Sequence, residues 1–253
     1  MTVKQKTRLH LLDSLRGFMM VNMIAYHAMW DLVNLFGVRA SWYAGTSKYI
    51  WQQCICWTFI LLSGFCWRLS RNHLRRGALV FGGGVVISLV TNLLMPASRI
   101  LFGILTCIGS CVLLMIPLEK LARKIPAEIG AVISFMLFVL LRGCSEGYLG
   151  FEKWVILPLP DFLYRNLLTA YLGFPYRGFF STDYFAVLPW FFLFLGGYFL
   201  YDVLGKRNLN EKLFARVKIP LLDTIGKNSL LIYMLHQPVV YGILLAADYL
   251  HII

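Results

Sequence analysis

Acidic residues are scarce: Asp and Glu together number 12 among 253 residues, and charged residues of both signs make up only 14%. An ordinary soluble domain carries about 25%. So thin a charge supply excludes a water-soluble enzyme, whose surface needs ionised side chains over much of its area. Metal-ligand spacings such as His-x-x-x-His do not occur, so no metal is expected. A phosphate loop is also missing, because Gly226-Lys227-Asn228-Ser229 lacks the upstream glycine. Gly82-Gly83-Gly84 and Ser63-Gly64 fall inside apolar runs and read as places where helices approach closely. The net charge is +12. It comes in short clusters between apolar runs and makes no basic face on a soluble domain, so nucleic acid is not an expected partner. The basic start (Lys4, Lys6, Arg8) leads into a long apolar run without a small-residue cleavage site, which reads as a retained span. Internal repeats and low-complexity segments are absent. Cys54, Cys56, Cys66, Cys107 and Cys111 lie in apolar runs, with Cys144 just past one, and they read as small packing residues.

What the chain has in quantity is hydrophobic side chain, 59% of residues, with a mean hydropathy of +0.69. A membrane-crossing helix needs ~20 predominantly apolar residues. Seven such stretches are read, at about 14–36, 49–68, 77–95, 100–118, 127–142, 186–204 and 228–248. The expected fold is all-α: one polytopic membrane bundle over residues 1–253. The stretch at about 143–185 is too polar and turn-rich to span, and its Trp154, Tyr164, Tyr171 and Tyr176 suit a membrane interface. An ordered loop with short helices is expected there.

Orientation follows from the basic residues. Most of them fall on one side: Lys4, Lys6, Arg8 and Arg16; then Arg68, Arg71, Arg75 and Arg76; then Lys120, Arg123 and Lys124; then Lys206, Arg207, Lys212, Arg216, Lys218 and Lys227. Arg39, Lys48, Arg99, Arg142, Lys153, Arg165 and Arg177 fall on the other. The excess of positive charge marks the cytoplasmic side. The N-terminus is therefore expected inside, and the C-terminus and the 143–185 loop outside.

The first span is the unusual one. Asp13, Arg16, Met20, Met23, His27, Asp31 and Asn34 recur every three or four residues, which places them on one helix face. An ionisable group at membrane depth costs about 2.5–3.5 kcal/mol on insertion scales, so a stripe of them needs a reason. His27 lies about 16 Å along the helix from Arg16, near mid-membrane. Asp31 stands one turn further on, where it could orient the imidazole as a general base. The plainer reading is a self-neutralising structural pair. In the last span, His236 and Gln237 precede Pro238, which removes a backbone donor and is expected to kink the helix. That spot reads either as a cavity lining or as a kink satisfied by neighbouring helices. Asp183 reads equally as a cap for the sixth span or as a polar group at the outer mouth of a site. Arg71, Arg75 and Arg76 read as cytoplasmic anchors or as phosphate ligands. Residues alone leave two functional classes open: a group-transfer enzyme, or a proton-coupled small-solute transporter using the His–Asp pair.

A resemblance narrows the choice. Arg8-Leu9-His10-Leu11-Leu12-Asp13-Ser14-Leu15-Arg16-Gly17 and Tyr26-His27-Ala28-Met29-Trp30-Asp31-Leu32 resemble the heparan-α-glucosaminide N-acetyltransferase catalytic-domain family. The short bacterial members are the nearest in spacing. Arg16, ten residues, then His27 also matches the wider transmembrane acyltransferase group. Phe102-Gly103-Ile104-Leu105, Ile108-Gly109, Leu188-Pro189-Trp190-Phe191, Gly196-Gly197-Tyr198 and Tyr233-Met234-Leu235-His236-Gln237-Pro238 continue the likeness in order. The resemblance implies a multi-pass enzyme of the bacterial cytoplasmic membrane. It would take an acetyl or other acyl group from cytoplasmic acyl-CoA and give it to an extracytoplasmic sugar, glycan or other polar acceptor. The family also suggests a homodimer. On this basis His27 and Asp31 are the expected catalytic residues. Arg16, Arg71, Arg75 and Arg76 are expected to hold the phosphates of acyl-CoA, and Asn34, Asp183, His236 and Gln237 to meet the acceptor.

Overall fold

A computed structural model describes residues 9–207, 209–214 and 219–252. Lys4, Lys6, Arg8, Arg216 and Lys218, which entered the orientation count, lie outside the described residues. Most of the described residues are helical. The long helices are α1 (His10–Asn34), α2 (Gly45–Phe65), α3 (His73–Leu94), α4 (Ile104–Ala122) and α5 (Ala127–Leu140). A two-stranded hairpin, β1 (Tyr148–Phe151) and β2 (Trp154–Pro158), and the short α6 (Leu167–Leu172) follow. Then come α7 (Val187–Lys206), α8 (Leu209–Phe214), α9 (Pro220–Lys227) and α10 (Ser229–Tyr249).

This is an all-α multi-pass membrane protein. Among the described residues, six helical segments are long and apolar enough to cross a bilayer: Gly45–Leu69, His73–Leu94, Ile104–Ala122, Ala127–Glu146, Val187–Lys206 and Ser229–Tyr249. They coincide with six of the seven expected spans. The seventh is α1. Its 25 residues reach about 37 Å at 1.5 Å per residue, so it is long enough. Its composition falls short because Arg16, Asn22, His27 and Asp31 interrupt the apolar run. The lipid-facing character of the others is plain in α10, where Leu231, Leu235, Val239 and Ile243 are all exposed at intervals of four, one continuous apolar stripe.

The helices form two compact units. The first comprises residues 1–59 and 205–253, the second residues 60–204. In the first, α1 packs against α9 and α10. Gly17 and Gly226 let α1 and α9 touch backbone to backbone: a Cβ on Gly17 would stand 1.9 Å from the Leu222 carbonyl oxygen, and one on Gly226 1.8 Å from that of Asp13. Polar groups lock the same contact. The Ile219 N–H donates to Ser14 Oγ at 3.3 Å. The buried Asp223 accepts from Lys227 and pairs with His10 at 3.4 Å. The hydrogen bond from Lys227 holds the Asp223 carboxyl below its usual range. Above this contact, Met20, Met23, Tyr26, Tyr43 and Ile55 form the apolar core of the unit.

In the second unit, the expected close approaches occur. A Cβ on Gly64 would meet the Phe194 carbonyl oxygen at 1.9 Å, and one on Gly84 the Thr106 nitrogen at 2.5 Å. Five of the six cysteines are buried, in keeping with a packing role. The 143–185 stretch is ordered and carries the expected short helices, α6 and the 3-10 turns Cys144–Glu146 and Asp161–Leu163, together with a hairpin that the sequence did not announce. β1 and β2 pair antiparallel with a bulge between Leu149 and Gly150. Gly150 sits at φ 148°, a conformation open to glycine. β-branched and aromatic residues in Trp154–Pro158 then favour an extended strand.

Candidate active site

The polar stripe of α1 and the His236-Gln237-Pro238 segment of α10 meet inside the first unit. His27 and His236 lie with ring centroids 5.0 Å apart and planes tilted by 56°. Asp31 is 0% exposed. Gln237 Nε2 donates to both of its carboxylate oxygens, each at 2.9 Å. The carboxylate expected to orient His27 is thus held by the amide from α10. The i to i+4 spacing put His27 and Asp31 on one face of α1, as expected, but the helix that closes over that face chose the pairing.

Aromatic groups from α1, α2 and the connecting segment cluster on Tyr26, which meets His27. The Tyr26 ring meets it edge-on at 5.7 Å and also packs edge-on against Trp51 at 5.5 Å. Two hydrogen bonds fix this cluster. Tyr43 Oη donates to the Tyr26 carbonyl at 3.1 Å, and Trp51 Nε1 donates to Asn22 Oδ1 at 3.2 Å. On α10, His236 Nδ1 lies 2.6 Å from the Tyr233 carbonyl oxygen. The helix runs on through Pro238 as one α-helix; the expected kink does not interrupt it.

The other expected site residues are distributed as follows. Asn34 is exposed and turns back on its own helix, donating to the Trp30 carbonyl at 2.7 Å. Arg16 bonds Asp13 at 3.1 Å and lies on the same helix as His27. Arg71 and Arg75 are exposed in the second unit, with Arg76 half-buried there. The Arg75 N–H donates to Asn72 Oδ1, which caps α3. Asp183, also in the second unit, accepts from the Ile104 N–H at 3.2 Å. It therefore caps α4, not the sixth expected span that follows it in sequence. Burial pushes its carboxyl up to about 6, against the opposing pull of that N–H.

The family model for heparan-alpha-glucosaminide N-acetyltransferase, catalytic, matches residues 8–238. The match runs from the start of α1 to Pro238, so both ends of the His27–His236 arrangement fall within it. The chain belongs to that family. It is therefore a member of a transmembrane acetyltransferase family. Neither a curated protein nor a solved structure shows significant similarity to it.

For this family member, the residues the sequence reading passed over are those paired across long separations. Tyr26 entered only as part of the family-like segment, and Tyr43 and Trp51 carried no signal in the sequence that they pack beside an imidazole. In the second unit, Arg68 reads in the sequence as one of a cytoplasmic basic cluster that serves as anchor or phosphate grip. It bonds Asp202 at 2.5 Å, lies 3.6 Å from Glu119, and covers the Tyr198 ring at 4.6 Å. Its arginine is a structural tie between helices. The near balance of basic and acidic groups there (Arg68 and Arg123 with Glu119 and Asp202) leaves little charge for an added anion.

Proposed function

We propose that this protein transfers an acetyl or other acyl group from acyl-CoA to a polar acceptor across the bacterial cytoplasmic membrane. The donor is cytoplasmic, and the acceptor is an extracytoplasmic sugar or glycan. The observation that carries the reading is the imidazole pair of half-buried His27 and buried His236 beside the Asp31–Gln237 contact, in a chain of a transmembrane acetyltransferase family. A membrane helix bears such groups at a cost, and acyl transfer is a chemistry that uses them. An acceptor O–H or N–H attacks the thioester carbonyl. The new C–O or C–N bond forms, the C–S bond breaks, the acceptor proton is removed, and CoA leaves as the thiol.

In this reading His27 stands at the reacting carbonyl, and Asp31 acts on the site through Gln237. Arg16 is the arginine on the helix of His27, and it is the first choice for a CoA phosphate, which it would hold by a charge-assisted hydrogen bond. Arg71, Arg75 and Arg76 are further candidates for that role, and Asp183 for the acceptor. The test is transfer of radiolabelled acetyl from acetyl-CoA by purified protein in lipid nanodiscs, comparing wild type with His27→Ala. Wild type should label an acceptor, and His27→Ala should not, while eluting and melting as wild type does. Full transfer by His27→Ala would overturn the assignment.

A further inference from the structure

Among the described residues, two buried polar atoms without hydrogen-bond partners are neighbours in sequence: His236 Nε2 and Gln237 Oε1. His236 is 8% exposed. Its Nδ1 faces the Tyr233 carbonyl oxygen at 2.6 Å. A carbonyl oxygen only accepts, so in the neutral ring Nδ1 carries the hydrogen and Nε2 keeps the lone pair. The imidazole is thus set in one tautomer by its own helix, with its basic atom buried and unmatched. Leaving a buried acceptor unpaired costs about 1–3 kcal/mol. Such an atom is accounted for when a ligand's donor completes it. The His27 ring stands 5.0 Å away, and the carboxylate nearest to it in sequence, Asp31, is taken up by Gln237. Of the two imidazoles, it is His236 that has the features of an oriented base: a fixed tautomer, a held ring and a free lone pair.

We propose that His236 is the general base of the transfer, receiving the acceptor's proton at Nε2. The inference rests on the acyltransferase reading above. In the step, the acceptor O–H or N–H gives its proton to Nε2 as its heteroatom bonds to the thioester carbon. The C–S bond then breaks, and the imidazolium returns the proton to the departing sulfur, so that CoA leaves as the thiol and His236 is neutral again. Gln237 is a positioning residue, tying the α10 turn that carries His236 to Asp31 of α1. Among the described residues, His27 from α1 and Tyr233 from its own turn face His236. On α9, Asp223 and Lys227 are engaged with each other.

The test measures acetyl-CoA turnover with glucosamine as acceptor, across pH, for wild type, His236→Ala and His236→Asn. Asparagine keeps a polar group near the Tyr233 carbonyl and removes the base, so it guards against simple misfolding. The expected result is a kcat lower by ~10²–10⁴-fold, an unchanged KM for acetyl-CoA, loss of the acid limb of the pH profile, and partial rescue of His236→Ala by added imidazole. Wild-type kcat in His236→Asn would overturn the proposal. So would a lowered kcat with the acid limb intact and no rescue by imidazole, which would make His236 structural. Absence of turnover in wild type, when acetyl-CoA also fails to bind, would instead overturn the acyltransferase reading on which the inference stands.

Discussion

Replacing Gln237 with alanine removes the partner of a carboxylate that has no contact with solvent. The structure gives the scale. Gln237 Nε2 reaches both oxygens of Asp31 at 2.9 Å, and Asp31 is 0% exposed. Hydrogen bonds between membrane helices average ~0.6 kcal/mol, because the separated helices find other partners. A hydrogen bond to a charged group contributes ~1.5–3 kcal/mol, and stripping a buried charge of its partner costs more than that. The charged acceptor and its burial decide between these figures. Gln237→Ala should lower unfolding stability by about 2–3 kcal/mol. The assay is a double-mutant cycle with Asp31→Asn and Asp31→Ala, read by SDS-induced unfolding in mixed micelles. A coupling of about 2 kcal/mol between Gln237→Ala and Asp31→Ala is expected. Gln237→Glu, which sets two carboxylates face to face, should be worse than Gln237→Ala. A coupling at or below the ~0.6 kcal/mol average, with Gln237→Glu no worse than Gln237→Ala, would refute the reasoning.

Other outcomes follow from the same structure. Gly17→Ala and Gly226→Ala each press a Cβ into a backbone carbonyl across the α1–α9 contact. Each should cost at least ~1–3 kcal/mol and lower the melting temperature in detergent, whereas Gly82→Ala, which meets nothing within 4 Å, should not. For Asp183, a carboxyl raised to about 6 binds its proton more tightly folded than unfolded, so its stability contribution is full below the unfolded value near 3.8 and is lost as pH rises through about 6. Asp183→Asn keeps an acceptor for the Ile104 N–H and should flatten the dependence of melting temperature on pH between those values. Asp183→Ala should in addition lose about 1 kcal/mol of capping. Tyr43→Phe removes the donor to the Tyr26 carbonyl, and a loss of about 1 kcal/mol in the same melts is expected.

Six spans and the polar stripe of α1 were legible because each is a local pattern: an apolar run, or polar groups every three or four residues. The family was legible because its short motifs keep their order along the chain. The pairing inside the site was not. Asp31 and Gln237 are separated by 206 positions, and nothing in the spacing of α1 says that α10 will bring an amide to that carboxylate. His27 and Asp31 share a helix face, but a shared face is not a contact. Asp183 was read against the helix that follows it, whereas it caps α4, 79 positions earlier. The hairpin was missed because the glycines and prolines of the 143–185 stretch signal turns without saying what they connect.

The central claim is that an acyl-CoA-dependent transfer occurs at His27 and His236. Binding of the donor tests it most directly. Acetyl-CoA should raise the unfolding stability of the purified protein saturably, by about 2.7 kcal/mol at one hundred times its Kd. The shift should persist in His27→Ala and weaken in Arg16→Ala. No shift and no saturable binding at millimolar acetyl-CoA would contradict the account.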